Sequence, residues 1–193
     1  MKEMILDTSS TILFINFVID GEIKYSVQTE GKNNHSDNLL KNIKEGLDYL
    51  HLEVKDFDRI VCGKGPGMYT GLRVSMTVAK MFAWTLNIPL YVVSSIDLLT
   101  SGYFNRDGKY KVQLKAKKDY SYTKVFSIEN GKYNLIKDEE FLSNEEFNKM
   151  YNDEYILINN ENININYLLM GEGKLEKVEN IHALEPNYLR SDI

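Results

Sequence analysis

A run of glycines that joins two apolar segments is the feature that most constrains the fold. The segment FDRIVCG, ending at Gly63, reads as a buried strand, and Thr70 to Leu86 reads as a helix that is apolar nearly all round. Between them lies GKGPGMYTG, with four glycines and a proline. A strand, a tight turn and a helix in this order indicate an α/β fold.

Glycine loops at helix starts often bind phosphate, so two templates were compared with GKGPGMYTG. A P-loop needs Gly-Lys-Ser/Thr at its end, whereas Lys64 precedes the later glycines. A dinucleotide loop needs G-x-G-x-x-G, and this spacing fails too. An anion at the helix N-terminus stays an alternative, but the pattern favours a tight structural bend. The residues assigned to this bend are Gly65, Pro66, Gly67, Thr70, Gly71 and, as an anchor, Arg73.

Two dipeptides predict hairpins, one in each half of the chain. Asp20-Gly21 and Asn130-Gly131 both lie between runs rich in β-branched and aromatic residues. Each half therefore places a β-meander before a helix, which suggests a duplicated β-β-β-α unit. We place an N-terminal lobe at 1–98 and a smaller C-terminal lobe at 99–193, with a tail that can return to the first lobe.

Charge and cysteine content exclude several classes of protein. The net charge of −5 does not suggest nucleic-acid binding. A basic stretch from Arg106 to Lys124 favours a solvated strand edge over an RNA-contacting patch. Cys62 is the only cysteine and reads as a core residue, so no disulfide within the chain is expected. No signal peptide or membrane-spanning run is visible, so a cytoplasmic protein is expected.

Several segments resemble one family. GKGPGMYTGLRV is similar to the G-x-G-P-G-[ST]-[FY]-T-G-[LVI]-R-[IV]-G segment of the TsaB (YeaZ) family. MILDTSS, NNHSDNLLKNI, KAKKDYSYTKVFSI, LLMGEGKLEK and ALEPNYLR resemble its other segments in the same order. Met68 and Ser75 depart from the pattern, and Lys115 and Lys117 stand where Asp and Arg are common.

The resemblance implies an actin-like, ribonuclease H-like fold with two similar lobes of mixed sheet and flanking helices. It also implies a noncatalytic subunit of the bacterial machinery that makes N6-threonylcarbamoyladenosine in tRNA. The expected partners are TsaD, which carries the catalytic site and metal as a heterodimer partner, the ATPase TsaE, and tRNA through the complex. ATP and metal are expected on those partners and not on this chain alone. A homodimer is expected where TsaD is missing.

The helices suggest where a partner binds. Leu40, Ile43, Leu47 and Leu50 form a seam typical of helix packing, and the second helix is too apolar for one sheet to cover. The predicted interface residues are Leu39, Leu40, Ile43, Leu47, Val74, Val78, Met81 and Phe82. By resemblance, these two helices meet two of TsaD. Ile43→Asp or Val78→Asp is then expected to abolish pairing. The alternative is a monomeric core that uses both faces internally.

The chain offers few candidates for chemistry of its own. His35 has Leu39 where a helical metal pair needs a second histidine, so no metal site is expected. His35 then reads as a capping or hydrogen-bonding residue. Asp7, with Thr8, lies where actin-like ATPases place a carboxylate near nucleotide, although DTSS is equally a good turn and the turn is favoured. The alternatives for function are an actin-like-fold ATPase or sugar kinase, and a metal-dependent peptidase acting alone.

Overall fold

The structure is a computed structural model that describes residues 1–30 and 35–189. The chain divides into two compact units. The first comprises Met1–Ser95 and Glu172–Asn187, and the second comprises Ile96–Gly171 with 188–189. The boundary placed from the sequence follows residue 98, whereas this division follows Ser95 and assigns 172–187 to the first unit.

Ten strands and four α-helices occur in the described residues. The strands are β1 Lys2–Asp7, β2 Ile12–Ile19, β3 Glu22–Glu30, β4 Arg59–Gly63, β5 Leu90–Val93, β6 Gly108–Lys117, β7 Tyr120–Glu129, β8 Lys132–Ser143, β9 Ile156–Ile158 and β10 Glu176–Lys177. The helices are α1 His35–Leu50, α2 Tyr69–Leu86, α3 Ser95–Thr100 and α4 Asn144–Met150. Within 1–30 and 35–189, every helix falls short of the length and apolarity that a membrane span needs.

The first unit contains a six-stranded mixed sheet in the order β10-β5-β4-β1-β2-β3. β1, β4 and β5 run parallel, while β2 and β3 form an antiparallel meander on β1. Every residue of β4 is buried, and so is β1 beyond its first residue. Strands buried on both faces are typical of sheets covered on both sides. The parallel pairing brings the carboxyl ends of β1 and β4 side by side.

Both predicted hairpins are confirmed. Asp20 and Gly21 have φ of 51° and 80°, and Asn130 and Gly131 have 54° and 71°. Positive φ at both central residues defines the turn whose twist matches antiparallel strands, and Asp-Gly and Asn-Gly adopt it readily. Local chemistry therefore determines the turn between β2 and β3 and the turn between β7 and β8.

The second unit repeats the topology of the first. Its four-stranded sheet has the order β8-β7-β6-β9, in which β6, β7 and β8 are antiparallel and β9 is parallel to β6. A meander, a helix and a parallel return strand describe β1-β2-β3-α1-β4 and β6-β7-β8-α4-β9 equally. The predicted duplication is confirmed, and with it the mixed sheets expected of two actin-like lobes.

The prediction of a solvated lysine-bearing edge is wrong for Lys111 and Lys124, because β6 and β7 both lie inside the sheet, whereas Lys109, Lys115 and Lys118 are exposed. Lys111 is buried, and its Nζ donates to the carbonyls of Tyr151 and Asn152 at 2.9 and 3.2 Å. Lys124 is also buried and pairs with two carboxylates, as described below. The reason is that β9 pairs with the outer side of β6 and β8 pairs with the outer side of β7, contacts that local charge patterns do not reveal.

Candidate functional site

The glycine loop between β4 and α2 is hydrogen-bonded into its own unit. The Gly65 amide donates to Ser95 Oγ at 3.0 Å, and the Met68 amide donates to the Ser9 carbonyl at 2.6 Å. The Lys64 amide donates to the Val93 carbonyl at 2.8 Å. These three donors, which a phosphate would need, are therefore used to attach the loop to β5 and to the turn after β1.

The glycines of this loop are required by close contacts. A Cβ on Gly63 would lie 1.6 Å from Asp7 Oδ2, and one on Gly71 would lie 1.8 Å from the Thr8 carbonyl oxygen. A Cβ on Gly67 would lie 2.4 Å from the Ser9 carbonyl oxygen, and Gly65 has a φ of +100°. The backbone of the loop thus packs directly on the turn after β1, as a tight bend requires.

Asp7 is the centre of this contact. It is fully buried, and its Oδ1 accepts from the amide and the hydroxyl of Ser9 at 2.8 and 2.6 Å. Its Oδ2 accepts from Ser95 Oγ at 2.6 Å. Both carboxylate oxygens are engaged by protein donors, and the pair of contacts from Ser9 forms the local turn that DTSS favours. The nucleotide-proximal role of Asp7 stays a prediction, and in this geometry it requires these donors to be displaced.

Thr8 joins the turn to the start of α2. Its Oγ1 donates to the Gly71 carbonyl at 2.6 Å and accepts from the Ser75 amide at 3.2 Å. Thr8 is fully buried, so its hydroxyl serves the helix start. Four elements therefore meet at Asp7 and Thr8, namely β1, β4, α2 and the start of α3. The side chains of Asp7 and Thr8 are both buried there.

Arg73 lies on the outer surface of α2, and its role as an anchor of the loop stays a prediction. Arg73 and Thr70 are both exposed, and the Arg73 guanidinium lies over the Tyr69 ring, 4.1 Å from its centroid. The reason is helical geometry, because Tyr69 and Arg73 are four residues apart and stack on one surface of α2. The arginine therefore covers an exposed aromatic ring.

Cys62 lies beneath the loop and has no nucleophilic character. The thiol is fully buried at the end of β4. Burial, reinforced by the nearby charge of Asp7, raises the pKa of Cys62 to about 12. Because only the thiolate is nucleophilic, the cysteine acts as a small core residue.

None of the described contacts of Asp7, Thr8 or Cys62 involves a histidine. The side chain of His35, expected to cap or hydrogen-bond, lies outside what the structure describes. His51 is exposed with a φ of 54°, and the His182 ring contacts Trp84 edge-on at 5.3 Å. Among residues 1–30 and 35–189, no group of three His, Cys, Asp or Glu side chains is arranged to hold a metal ion.

The predicted interface residues fall into three groups. Leu39, Ile43 and Val78 are buried in the core of the first unit, where no partner can reach them. Leu47, Val74 and Phe82 are half-buried against that core, whereas Leu40 and Met81 are exposed. The expectation that Ile43→Asp or Val78→Asp abolishes pairing stays a prediction, but neither variant isolates an interface, because either charge would enter the core and destabilise the unit. Helical spacing alone does not say which face meets the sheet.

A family described as "TsaD: tRNA N6-adenosine threonylcarbamoyltransferase" matches residues 26–181. The tRNA threonylcarbamoyladenosine biosynthesis protein TsaB of Bacillus subtilis (strain 168) is 32% identical over 131 residues, which is 68% of this chain and 57% of that protein. TsaB of Buchnera aphidicola subsp. Baizongia pistaciae (strain Bp) is 34% identical over 93 residues, 48% of this chain and 41% of that protein.

The chain belongs to the TsaB (YeaZ) family. It spans about half the length of the curated TsaB relatives that it matches. The solved structure titled "YeaZ from Pseudomonas aeruginosa" has a TM-score of 0.67 at 24% identity, covering 74% of this chain and 67% of its own. An uncharacterized protein with similarity to peptidase YEAZ from Pseudomonas aeruginosa has a TM-score of 0.79 at 19% identity, covering 98% and 99%. These two likenesses show the shared actin-like fold.

In this TsaB-family chain, α2 keeps a large apolar surface exposed. Trp84 is 63% exposed, Tyr69 is 52% exposed and Met81 is 43% exposed. Leu86 is exposed on the same helix, and Leu40 and Tyr49 are exposed on α1. Of these, Tyr69, Trp84, Leu86 and Tyr49 are missing from the sequence-based interface. The sequence did contain a signal that Trp84 belongs to this surface. Trp84 follows Met81 by three residues, and this spacing puts both side chains on one side of a helix.

Proposed function

We propose that this chain is a noncatalytic cytoplasmic subunit that pairs with TsaD and supports N6-threonylcarbamoyl transfer to the anticodon-loop adenosine of tRNA. The observation that carries the proposal is the exposed apolar surface of α2, with Trp84 and Met81 one helical turn apart. Large exposed apolar side chains on one helix are typical of a protein-binding surface, and tryptophan is enriched among the residues that dominate binding. The pathway named in the proposal comes from the curated relatives, which are named as tRNA threonylcarbamoyladenosine biosynthesis proteins.

The geometry at the glycine loop supports a structural role in place of catalysis. The carboxylate of Asp7 is occupied by Ser9 and Ser95, and the pKa of Cys62 is raised to about 12. Neither group is prepared to activate a nucleophile or to hold a metal–phosphate complex. On this proposal, ATP and metal bind to the partner subunits, TsaE joins the assembly, and the same surface of α2 forms a homodimer when TsaD is absent.

Co-purification with TsaD tests the proposal. Trp84→Asp places a charge on the exposed surface of α2 without touching the core, and we expect it to reduce recovered TsaD at least about tenfold. Leu135→Asp is the matched control, since Leu135 is a similarly exposed apolar residue on β8, at 51%. The proposal fails if Trp84→Asp, folded by circular dichroism, recovers TsaD as well as Leu135→Asp does.

A further inference from the structure

The second unit contains a polar cleft of about 580 Å³ beside the hairpin that joins β6 to β7. Its walls come from this hairpin, from α4 and from the segment that follows β9. Every lining residue is polar or charged, so polar atoms make up the larger part of the cleft surface. It lies outside the glycine loop and the surface of α2.

Three asparagines of the cleft use their acceptor oxygens within the protein. Asn144 Oδ1 accepts from Gln113 Nε2 at 2.9 Å and from Ser121 Oγ at 2.7 Å. Asn160 Oδ1 accepts from the Lys115 amide at 2.8 Å, and Asn159 Oδ1 accepts from the Glu161 amide at 2.9 Å. Because a carboxamide whose oxygen is engaged has its NH₂ group left to offer, these side chains present donors.

The lysines of the cleft add positive charge to these donors. Lys115, Lys117 and Lys118 line it, and no ion pair holds any of them within the part of the chain that the structure describes. This distinguishes them from Lys124, which pairs with Asp97 at 2.7 Å and with Glu139 at 3.3 Å. Lys117 also lies over the stacked rings of Tyr120 and Phe141 at 5.0 and 5.5 Å.

Two carboxylates offset part of the positive charge of these lysines. Asp119 and Glu161 also line the cleft, so three lysines against two acids leave one positive charge in excess. A chain with a net charge of −5 thus has a local positive site that is rich in donors. These features favour a ligand that is negatively charged and accepts hydrogen bonds at several points, as phosphate oxygens do.

We propose that this cleft binds the phosphate groups of RNA, with Lys115, Lys117 and Lys118 contacting successive phosphates and the asparagine NH₂ groups donating to their oxygens. The open form of the cleft and the position of the lysines on a hairpin fit a strand that passes across it. The inference rests on the proposed function in one respect, because the RNA it names is the tRNA of that reaction.

The test is binding of a fluorescein-labelled unmodified tRNA transcript to the isolated chain, measured by anisotropy at several salt concentrations. Lys115→Gln with Lys117→Gln and Lys118→Gln is expected to weaken binding at least tenfold at low salt and to reduce the slope of log K against log[salt] by about 2 to 3. Replacing the same three lysines with arginine should retain affinity. Glu161→Gln should increase affinity, because it removes a repelling charge.

The control variant neutralises Lys24, Lys55 and Lys177, three exposed lysines of the first unit, and so changes the net charge equally. Equal affinities and salt slopes for the two glutamine variants would overturn the inference, as would absence of binding by the unaltered chain. Competition by AMP at concentrations that saturate one site would also overturn it, because the cleft would then hold a small phosphate ligand. Co-purification of TsaD is measured in a separate experiment. If the cleft does not bind tRNA but the chain still pairs with TsaD, only the inference about the cleft is wrong, and the proposed function is unaffected.

Discussion

The glycine loop and the cleft of the second unit make an instructive contrast. In the sequence the loop resembles a ligand site and the lysine stretch resembles a solvated edge. In the structure the loop gives the amides of Lys64, Gly65 and Met68 to protein acceptors. The cleft does the reverse, because its asparagines engage their oxygens and retain their donors. Where a site's hydrogen bonds go is therefore more informative than its residue types.

The largest expected effect is the slow alkylation of Cys62 in the folded chain compared with an ordinary, exposed cysteine. Because its pKa is raised to about 12, the thiol stays protonated throughout the neutral range and forms thiolate only as the pH approaches that value. At pH 8 we expect iodoacetamide to label the folded chain more than about a thousandfold more slowly than an ordinary cysteine. Mass spectrometry after timed quenching measures the rate, and urea should restore it. Rapid labelling of the folded chain would mean that the thiol of Cys62 is accessible to solvent and that the loop does not cover the end of β4.

Gly71→Ala tests the contact between the loop and the turn after β1. The new Cβ would lie 1.8 Å from the Thr8 carbonyl oxygen, and backbone cannot move aside easily. We expect the free energy of unfolding to fall by about 3 kcal/mol, measured from urea denaturation. Gly173→Ala, with nothing within 4 Å of its Cβ, should change it by less than about 1 kcal/mol. Similar urea midpoints for both variants would contradict the close packing of the loop on the turn after β1.

Asp7→Asn removes the charge at the centre of the same contact. One oxygen can still accept from Ser9, but the Ser95 hydroxyl loses its acceptor. A loss of about 1–2 kcal/mol in the free energy of unfolding is expected. No loss would indicate that Asp7 is not held by these donors and is available to a ligand.

The smallest effect is expected in the cleft. Neutralising Lys115, Lys117 and Lys118 with glutamine breaks no ion pair among the described residues and removes only the contact of Lys117 with the Tyr120 and Phe141 rings, so the free energy of unfolding should fall by no more than about 1 kcal/mol. Differential scanning calorimetry checks this. A large loss of stability would show that the lysines support the hairpin, and the contrast between a structural loop and a binding cleft would disappear.

Local signals predicted much of this fold. Asp20-Gly21 and Asn130-Gly131 fixed both hairpins through their backbone preferences, and the helix predicted from Thr70 to Leu86 begins one residue earlier, at Tyr69. The duplication followed from the order of meanders and helices.

The sites were harder to predict because they depend on distant contacts. Periodicity grouped Leu40 with Ile43 on α1, yet the sheet buries Ile43 and leaves Leu40 outside. The cleft combines side chains from β6, α4 and the segment after β9, which no spacing rule connects. The partners of Asp7 come from Ser9 and from Ser95, of which only the first is local.

Reconstituted tRNA modification tests the central claim most directly, with this chain, TsaD, TsaE, the precursor synthase and tRNA. Asp7→Asn removes the charge of the carboxylate that an ATPase would need, and Trp84→Asp alters an exposed residue of α2 whose ring contacts His182. The account predicts that Asp7→Asn, assayed below its unfolding temperature, sustains modification, while Trp84→Asp abolishes it. Loss of modification with folded Asp7→Asn and full modification with Trp84→Asp would contradict a noncatalytic subunit that acts through α2.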